Sequence, residues 1–145
     1  MLTKYVSKNK ILLNFEAKGY KQTLKKMLAC SERENHVEII DSIIERESLM
    51  PTALGKGVAI PRIVLDDKTG TEIILAISRK GINLNSLDRL PVKIVFLCLF
   101  SKTDTHSSIL AQCLRLLNDD SIRTELFAVK TEDEVVQLIK EWEEE

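Results

Sequence analysis

Residues Val92–Phe100 read VKIVFLCLF, and beyond Lys93 every one of them is apolar. The unbroken run, Ile94–Phe100, is far shorter than the about 20 residues a membrane span needs. It predicts a strand without the usual apolar–polar alternation. Such a strand is buried on both faces, which requires a sheet with helices on both sides.

The neighbouring segments fit that frame. Upstream, Glu72–Arg79 (EIILAISR) is rich in β-branched residues and predicts a second strand. Downstream, Leu110, Cys113, Leu114 and Leu117 predict the inner face of a helix with Asp104 or Thr105 as N-cap. Ser121–Val129 predicts another helix. Thr131-Glu-Asp-Glu134 has the form of a capping box before a last helix carrying Val135, Leu138, Ile139 and Trp142. Near the start, Lys10–Phe15 reads as a strand or a helix-docking segment. Tyr20, Leu24, Met27 and Leu28 mark one helix, and Val37, Ile40, Ile43 and Ile44 mark a second that runs to about Leu49. Pro51, Gly55 and Gly57 then break the pattern before the short apolar segment Val58–Pro61. The expected class is α/β, one mixed β-sheet covered by helices on both faces, in a single domain over residues 1–145.

Bulk composition narrows the function. The chain has 145 residues, the size of one ordinary domain, with 21 basic and 22 acidic residues and a net charge of −1. No basic excess is available to condense onto nucleic acid or an anionic membrane. Cys30, Cys98 and Cys113 are odd in number, form no C-x-x-C and sit among apolar residues, so they read as buried core residues in a reducing compartment. Met1–Lys10 has no apolar stretch of the secretory kind, and a cytoplasmic location is the expectation. Only 2 histidines are present, with no acidic cluster at metal-ligand spacing, so neither a metal nor another cofactor is expected. The Gly55-Lys56-Gly57 turn is too short for a nucleotide-binding phosphate loop.

The most informative stretch is Glu45–Arg62, ERESLMPTALGKGVAIPR. It resembles the signature of the fructose/mannitol-type enzyme IIA domains of the bacterial sugar phosphotransferase system and their nitrogen-regulatory relatives. Arg46-Glu47, Thr52, Gly55, Gly57, Val58, Ala59, Ile60 and Pro61 fall in register with it. Two further stretches are similar to the same family. One is Gly81–Asp88 followed by Pro91–Phe96. The other is Thr105-His106 followed by an apolar helix that ends in Leu-Leu-Asn-Asp. The resemblance covers almost the whole chain. It implies a sheet of about five strands, the mannitol-type enzyme IIA fold.

The resemblance also implies a site. In the family a histidine closing the motif carries a phosphoryl group, with an arginine and a second histidine beside it. An imidazole nitrogen can attack phosphorus and later leave. Here Arg46 matches the arginine and His106 the second histidine, while Arg62 stands where the resemblance places the phosphoacceptor. A guanidinium stays protonated and has no lone pair to attack phosphorus. Ala53 replaces a usual glycine and is expected to stiffen the turn, and Lys93 replaces a usual Asp and changes the charge near the site.

Two readings of Arg62 stand. A paralogue has lost its phosphoacceptor and kept the fold. Alternatively, Arg62, Arg46 and His106, with Thr52, Gly55 and Gly57, form a fixed site for phosphate or another anion. His106 is otherwise an ordinary helix-start residue, His36 reads as surface, and Arg46 with Glu45 and Glu47 also fits a solvated charge cluster. The expected partners are proteins: a phosphocarrier of the system, a sensor kinase or a transporter. Neither nucleic acid nor membrane insertion is expected. The expected activity is regulation or binding without phosphoryl transfer through Arg62. The competing reading is an active phosphocarrier in sugar uptake that uses His106.

Overall fold

The computed structural model describes residues 1–49, 53–67 and 69–145. Six strand segments form one mixed sheet: β1 (Ile11–Leu12), β2 (Ala53–Gly55), β3 (Val58–Ala59), β4 (Arg62–Leu65), β5 (Glu72–Ile82) and β6 (Val92–Ser101). The order is β1-β5-β6-β3-β2, with β4 also paired to β6. β5 and β6 are antiparallel, whereas β1 on β5 and both β3 and β4 on β6 are parallel.

β3 and β4 occupy the same edge of β6 in one register. Val58 and Ala59 pair with Ile94 and Val95, and Arg62 pairs with Cys98. Pro61 lies between them and has no N–H to donate, yet its carbonyl still accepts from the Cys98 amide at 2.9 Å. The two segments therefore act as one interrupted strand, and the sheet is five-stranded in effect, as expected.

The apolar run of β6 divides between two cores. Ile94, Phe96, Cys98 and Phe100 face one core, while Val95, Leu97 and Leu99 face the other. Side chains alternate across a strand, so a continuous apolar segment supplies both. The first core is closed by α3 (His106–Leu117), α4 (Asp120–Ala128) and α5 (Glu132–Glu144). The second is closed by α1 (Gly19–Leu28) and α2 (His36–Leu49).

The residues of α3 that face the core differ from those expected. Ile109, Cys113, Leu116 and Leu117 are buried, while Leu114 is 40% exposed and Leu110 only packs at the margin. The true stripe follows 109, 113 and 116, spacings of four and three, and leaves Leu114 pointing outward. Thr105 is the N-cap without a side-chain bond, and Asp104 instead accepts from the Thr71 hydroxyl at 2.6 Å. The expected capping box at α5 forms on one side only, since the Glu134 carboxylate reaches the amide before the N-cap and not that of Thr131 itself. Thr131 Oγ1 accepts from the Glu134 amide at 3.2 Å, and the Glu134 carboxylate receives the Lys130 amide at 3.4 Å.

At the His106 end of β6, a buried charge network ties loops to the sheet. Arg33, 4% exposed, donates to Glu72 at 2.7 Å and to Asp67 at 2.9 Å, and caps the Thr69 and Gly70 carbonyls. Glu72 also receives Lys10, the Ser31 hydroxyl and the Glu32 amide. Burial pushes the Glu72 carboxyl up, but these donors outweigh it and hold it below its ordinary value. Each lone pair has a partner, which is the condition for burying charge.

Candidate functional site

Arg62 opens β4 opposite Cys98, on the sheet face that carries α3. Its side chain is half-buried, and one guanidinium nitrogen donates to the Ile60 carbonyl at 3.4 Å. A guanidinium has five N–H donors, so most of its capacity is uncommitted. Beneath it, hydrogen bonding to the Cys113 thiol, together with complete burial, pushes the Cys98 thiol well up, against the opposing pull of the nearby Arg62 charge.

His106 begins α3 and is exposed. Its ring lies 5.8 Å from the Phe100 ring, tilted by 41°. Phe100 is the next residue after Cys98 on the same face of β6. Arg62 and His106 are thus held against neighbouring positions of one strand face, about 7 Å apart along the strand at about 3.3 Å per residue.

Arg46 lies in the last turn of α2, in the opposite layer, and is exposed. That helix packs on β4 at the sheet edge, the edge that carries Arg62. Among the described residues no ion pair engages Arg46, Arg62 or His106. Arg46 and Arg62 thus lie on elements that meet at the β4 edge, in different layers, and His106 lies against Phe100 on the Arg62 face.

The glycine turn lies elsewhere. Gly55, Lys56 and Gly57 all have positive φ, at 84°, 58° and 77°. The turn is closed by Asp88, whose Oδ2 accepts the Lys56 amide at 2.9 Å, and the Gly57 carbonyl accepts the Lys93 and Ile94 amides. From Ile94 to Phe100 the strand runs about 20 Å. Gly55 and Gly57 therefore sit at the opposite end of β6 from His106, and an internal carboxylate already occupies the Lys56 amide. Lys93 shares that end, with its ammonium 5.6 Å from the Phe127 ring centroid. Ala53 lies in β2, so the left-handed turn positions fall after it. Thr52 lies outside the described residues.

Other expectations are corrected. His36 is half-buried and its Nε2 lies 2.6 Å from the Arg33 carbonyl, which anchors the start of α2. Cys30 is half-buried, whereas Cys98 and Cys113 are in the core. The Arg33–Glu72–Lys10–Asp67 network escaped the sequence reading, because its members are isolated charges far apart in the chain. No helix among the described residues is long and apolar enough to cross a membrane.

Known proteins share this architecture. The family description "Phosphoenolpyruvate-dependent sugar phosphotransferase system, EIIA 2" matches residues 4–142. The chain is 26% identical over 146 residues to the fructose-specific EIIABC component of Bacillus subtilis (strain 168), covering 97% of this chain and 23% of that protein. It thus spans about a quarter of that relative's length. It is 29% identical over 143 residues to the nitrogen regulatory protein of Bradyrhizobium diazoefficiens, covering 95% and 94%. Nitrogen regulatory protein IIA-Ntr from Neisseria meningitidis superposes with a TM-score of 0.83 at 24% identity, covering 95% and 98%. The IIA mannitol domain of Escherichia coli superposes with a TM-score of 0.76 at 19% identity, covering 92% and 98%. A IIA mannitol domain of the same organism is also known in complex with a phosphorylated enzyme IIB. These two folds are of one kind with the present α/β sandwich. On the match over residues 4–142, the chain belongs to the EIIA 2 family of the phosphoenolpyruvate-dependent sugar phosphotransferase system.

Proposed function

We propose that this EIIA-type chain acts as a single cytoplasmic regulatory or binding domain, residues 1–145, that does not carry a phosphoryl group at the motif position. The observation that supports this reading is Arg62, which follows Pro61 at the end of the segment whose resemblance to the family motif places the phosphoacceptor histidine there. A guanidinium holds its proton at neutral pH and offers no nucleophile. Its donors are largely free, and His106 stands on the same face. Such a pair binds an oxyanion through charge-assisted hydrogen bonds without bonding to it covalently. Arg46 completes the set from the α2 side.

The ligand in this reading is phosphate, or a phosphorylated or carboxylate-bearing group on a partner protein. The relatives named as nitrogen regulatory proteins, and the IIA domain known in complex with phosphorylated enzyme IIB, support protein partners. Within this site Arg62 and His106 form the centre, and the Gly55–Gly57 turn supports the sheet edge from a distance.

The test is incubation with phosphoenolpyruvate and the general carrier proteins of the system, followed by intact-mass analysis under alkaline quench. The expected result is no phosphoryl adduct. A stoichiometric acid-labile adduct that maps to His106 would establish the alternative, a phosphocarrier that works through His106. In parallel, calorimetry with inorganic phosphate is expected to show binding that Arg62→Ala abolishes. Binding unchanged by that substitution counts against Arg62 as the anchor.

A further inference from the structure

The loop between β5 and β6 carries a second polar site, remote from Arg62. Ile82 pairs with Val92, so residues 83–91 project from the end of the β5–β6 ribbon opposite to His106. They enclose a cleft of about 420 Å³ lined by Asn83, Asn85, Ser86, Arg89, Leu90 and Pro91.

Two features set this loop apart. Its backbone is held at Arg89, whose φ of 61° lies in the left-handed region that a long side chain seldom adopts, while Asn85 at 55° is of the type that tolerates it. Positive φ at non-glycine residues persists only where the surroundings impose it, and it concentrates at binding sites. The second feature is Ser86. It is 7% exposed, lines the cleft, and its hydroxyl has no hydrogen-bond partner among the described residues. Buried hydroxyls nearly always have one.

The polar groups here are biased towards donors. Asn83 Oδ1 is consumed by the Asn85 amide at 3.1 Å, so its amino group is what remains to offer. The Arg89 side chain is exposed and forms no ion pair among the described residues, with five N–H donors to offer. The neighbouring carboxylate is engaged by backbone amides: Asp88 Oδ1 accepts the Leu90 amide at 3.0 Å and its Oδ2 accepts the Lys56 amide. An adjoining cleft shares Asn83 and Asn85 and adds Lys21, a second cation; its carboxylate, Glu47, accepts from Tyr20 at 3.1 Å.

A donor-rich cleft with one guanidinium, two amides and an unpaired hydroxyl complements an acceptor-rich ligand. We infer that the 83–91 loop binds a small oxyanion of the phosphate class, held by Arg89 and the Asn83 amino group, with the Ser86 hydroxyl at the floor turning to donate as the ligand seats. The site is independent of the Arg62 reading.

The test uses the full chain and inorganic phosphate at constant ionic strength, followed by amide NMR shifts. Saturable shifts are expected at Asn85, Ser86 and Arg89 in the wild type and equally in Arg62→Ala. Arg89→Gln should weaken this phase by about tenfold or more, the scale of one charge-assisted hydrogen bond. Ser86→Ala should weaken it by roughly threefold to tenfold. Without phosphate, Ser86→Ala should melt no lower than wild type, because it removes an unpaired hydroxyl. The proposal is overturned by the absence of saturable shifts in this loop, by shifts that survive Arg89→Gln unchanged, or by shifts that disappear with Arg62→Ala. A lower melting temperature for Ser86→Ala without phosphate would also overturn it, since the hydroxyl would then be already satisfied.

Discussion

Arg62 stands opposite Cys98 in the parallel β4–β6 ladder, on the face of the sheet that α3 covers. The backbone of residue 62 is fixed by that ladder and by the Pro61 carbonyl bonded to Cys98. A side chain placed there leaves the sheet at a set position on the face that His106 covers at Phe100. Arg62→His should therefore present an imidazole in the same place without disturbing the fold. The expected outcome is a gain of an acid-labile phosphoryl adduct at residue 62 with phosphoenolpyruvate and the general carriers, read by peptide mass. If the variant folds and stays unlabelled, the surroundings of residue 62 no longer support transfer.

Cys98 and Cys113 are both fully buried, one on β6 and one on α3. Their mutual hydrogen bond and burial raise the Cys98 thiol, so the reactive thiolate is scarce. At pH 8 a native sample treated with iodoacetamide should take up at most one equivalent, at half-buried Cys30, and all three in denaturant. Rapid native labelling of Cys98 would show that α3 opens from the sheet.

Gly81 has φ of +84°, and a Cβ added there would lie 2.5 Å from the Pro91 Cβ. Both the backbone and the ring oppose any side chain at this point. Gly81→Ala should cost about 2 kcal/mol or more by chemical denaturation. Gly70→Ala is the control, because a Cβ there meets nothing within 4 Å, and it should be close to neutral.

Arg33 bridges Asp67 and Glu72 from a buried position. Removing one partner leaves Glu72 under-compensated, so Arg33→Met should destabilise the fold by about 3 kcal/mol or more near neutral pH. Both carboxyls are held below their ordinary values of 3.8 and 4.5, Asp67 chiefly by its Arg33 hydrogen bond. A depressed carboxyl stabilises the folded state above its unfolded value and loses that contribution as pH falls through the folded one. Wild-type stability should therefore fall on acidification below about pH 4.5, and the Arg33→Met curve should be shallower there. Parallel curves for the two proteins would show that the network is not coupled to protonation.

Much of this was legible in the chain. The apolar run in β6 announced burial on both faces, because side-chain alternation leaves no polar face in such a segment. The turn at Gly55–Gly57 and the α5 cap were readable from residues adjacent in sequence. The outward rotation of Leu114 was not, because an apolar-rich helix admits two stripes and only the packed sheet selects one. Strands β2 and β4 were also missed. They span only Ala53–Gly55 and Arg62–Leu65, too short to show a period, and they exist because β3 and β6 respectively offer them a ladder.

By itself the sequence determined the layered α/β plan and the presence of an arginine at the end of the Glu45–Arg62 signature. These depend on local pattern and residue chemistry. Only the tertiary structure decided which of the marked residues share a place. It set Arg62 opposite Cys98 and the His106 ring against Phe100 on the same face of β6, and carried Gly55 and Gly57 to the far end of that strand. It also gathered Lys10, Arg33, Asp67 and Glu72 into one buried network. Such groupings follow from strand register and from the requirement that buried charge be paired, and both are satisfied only when distant segments meet.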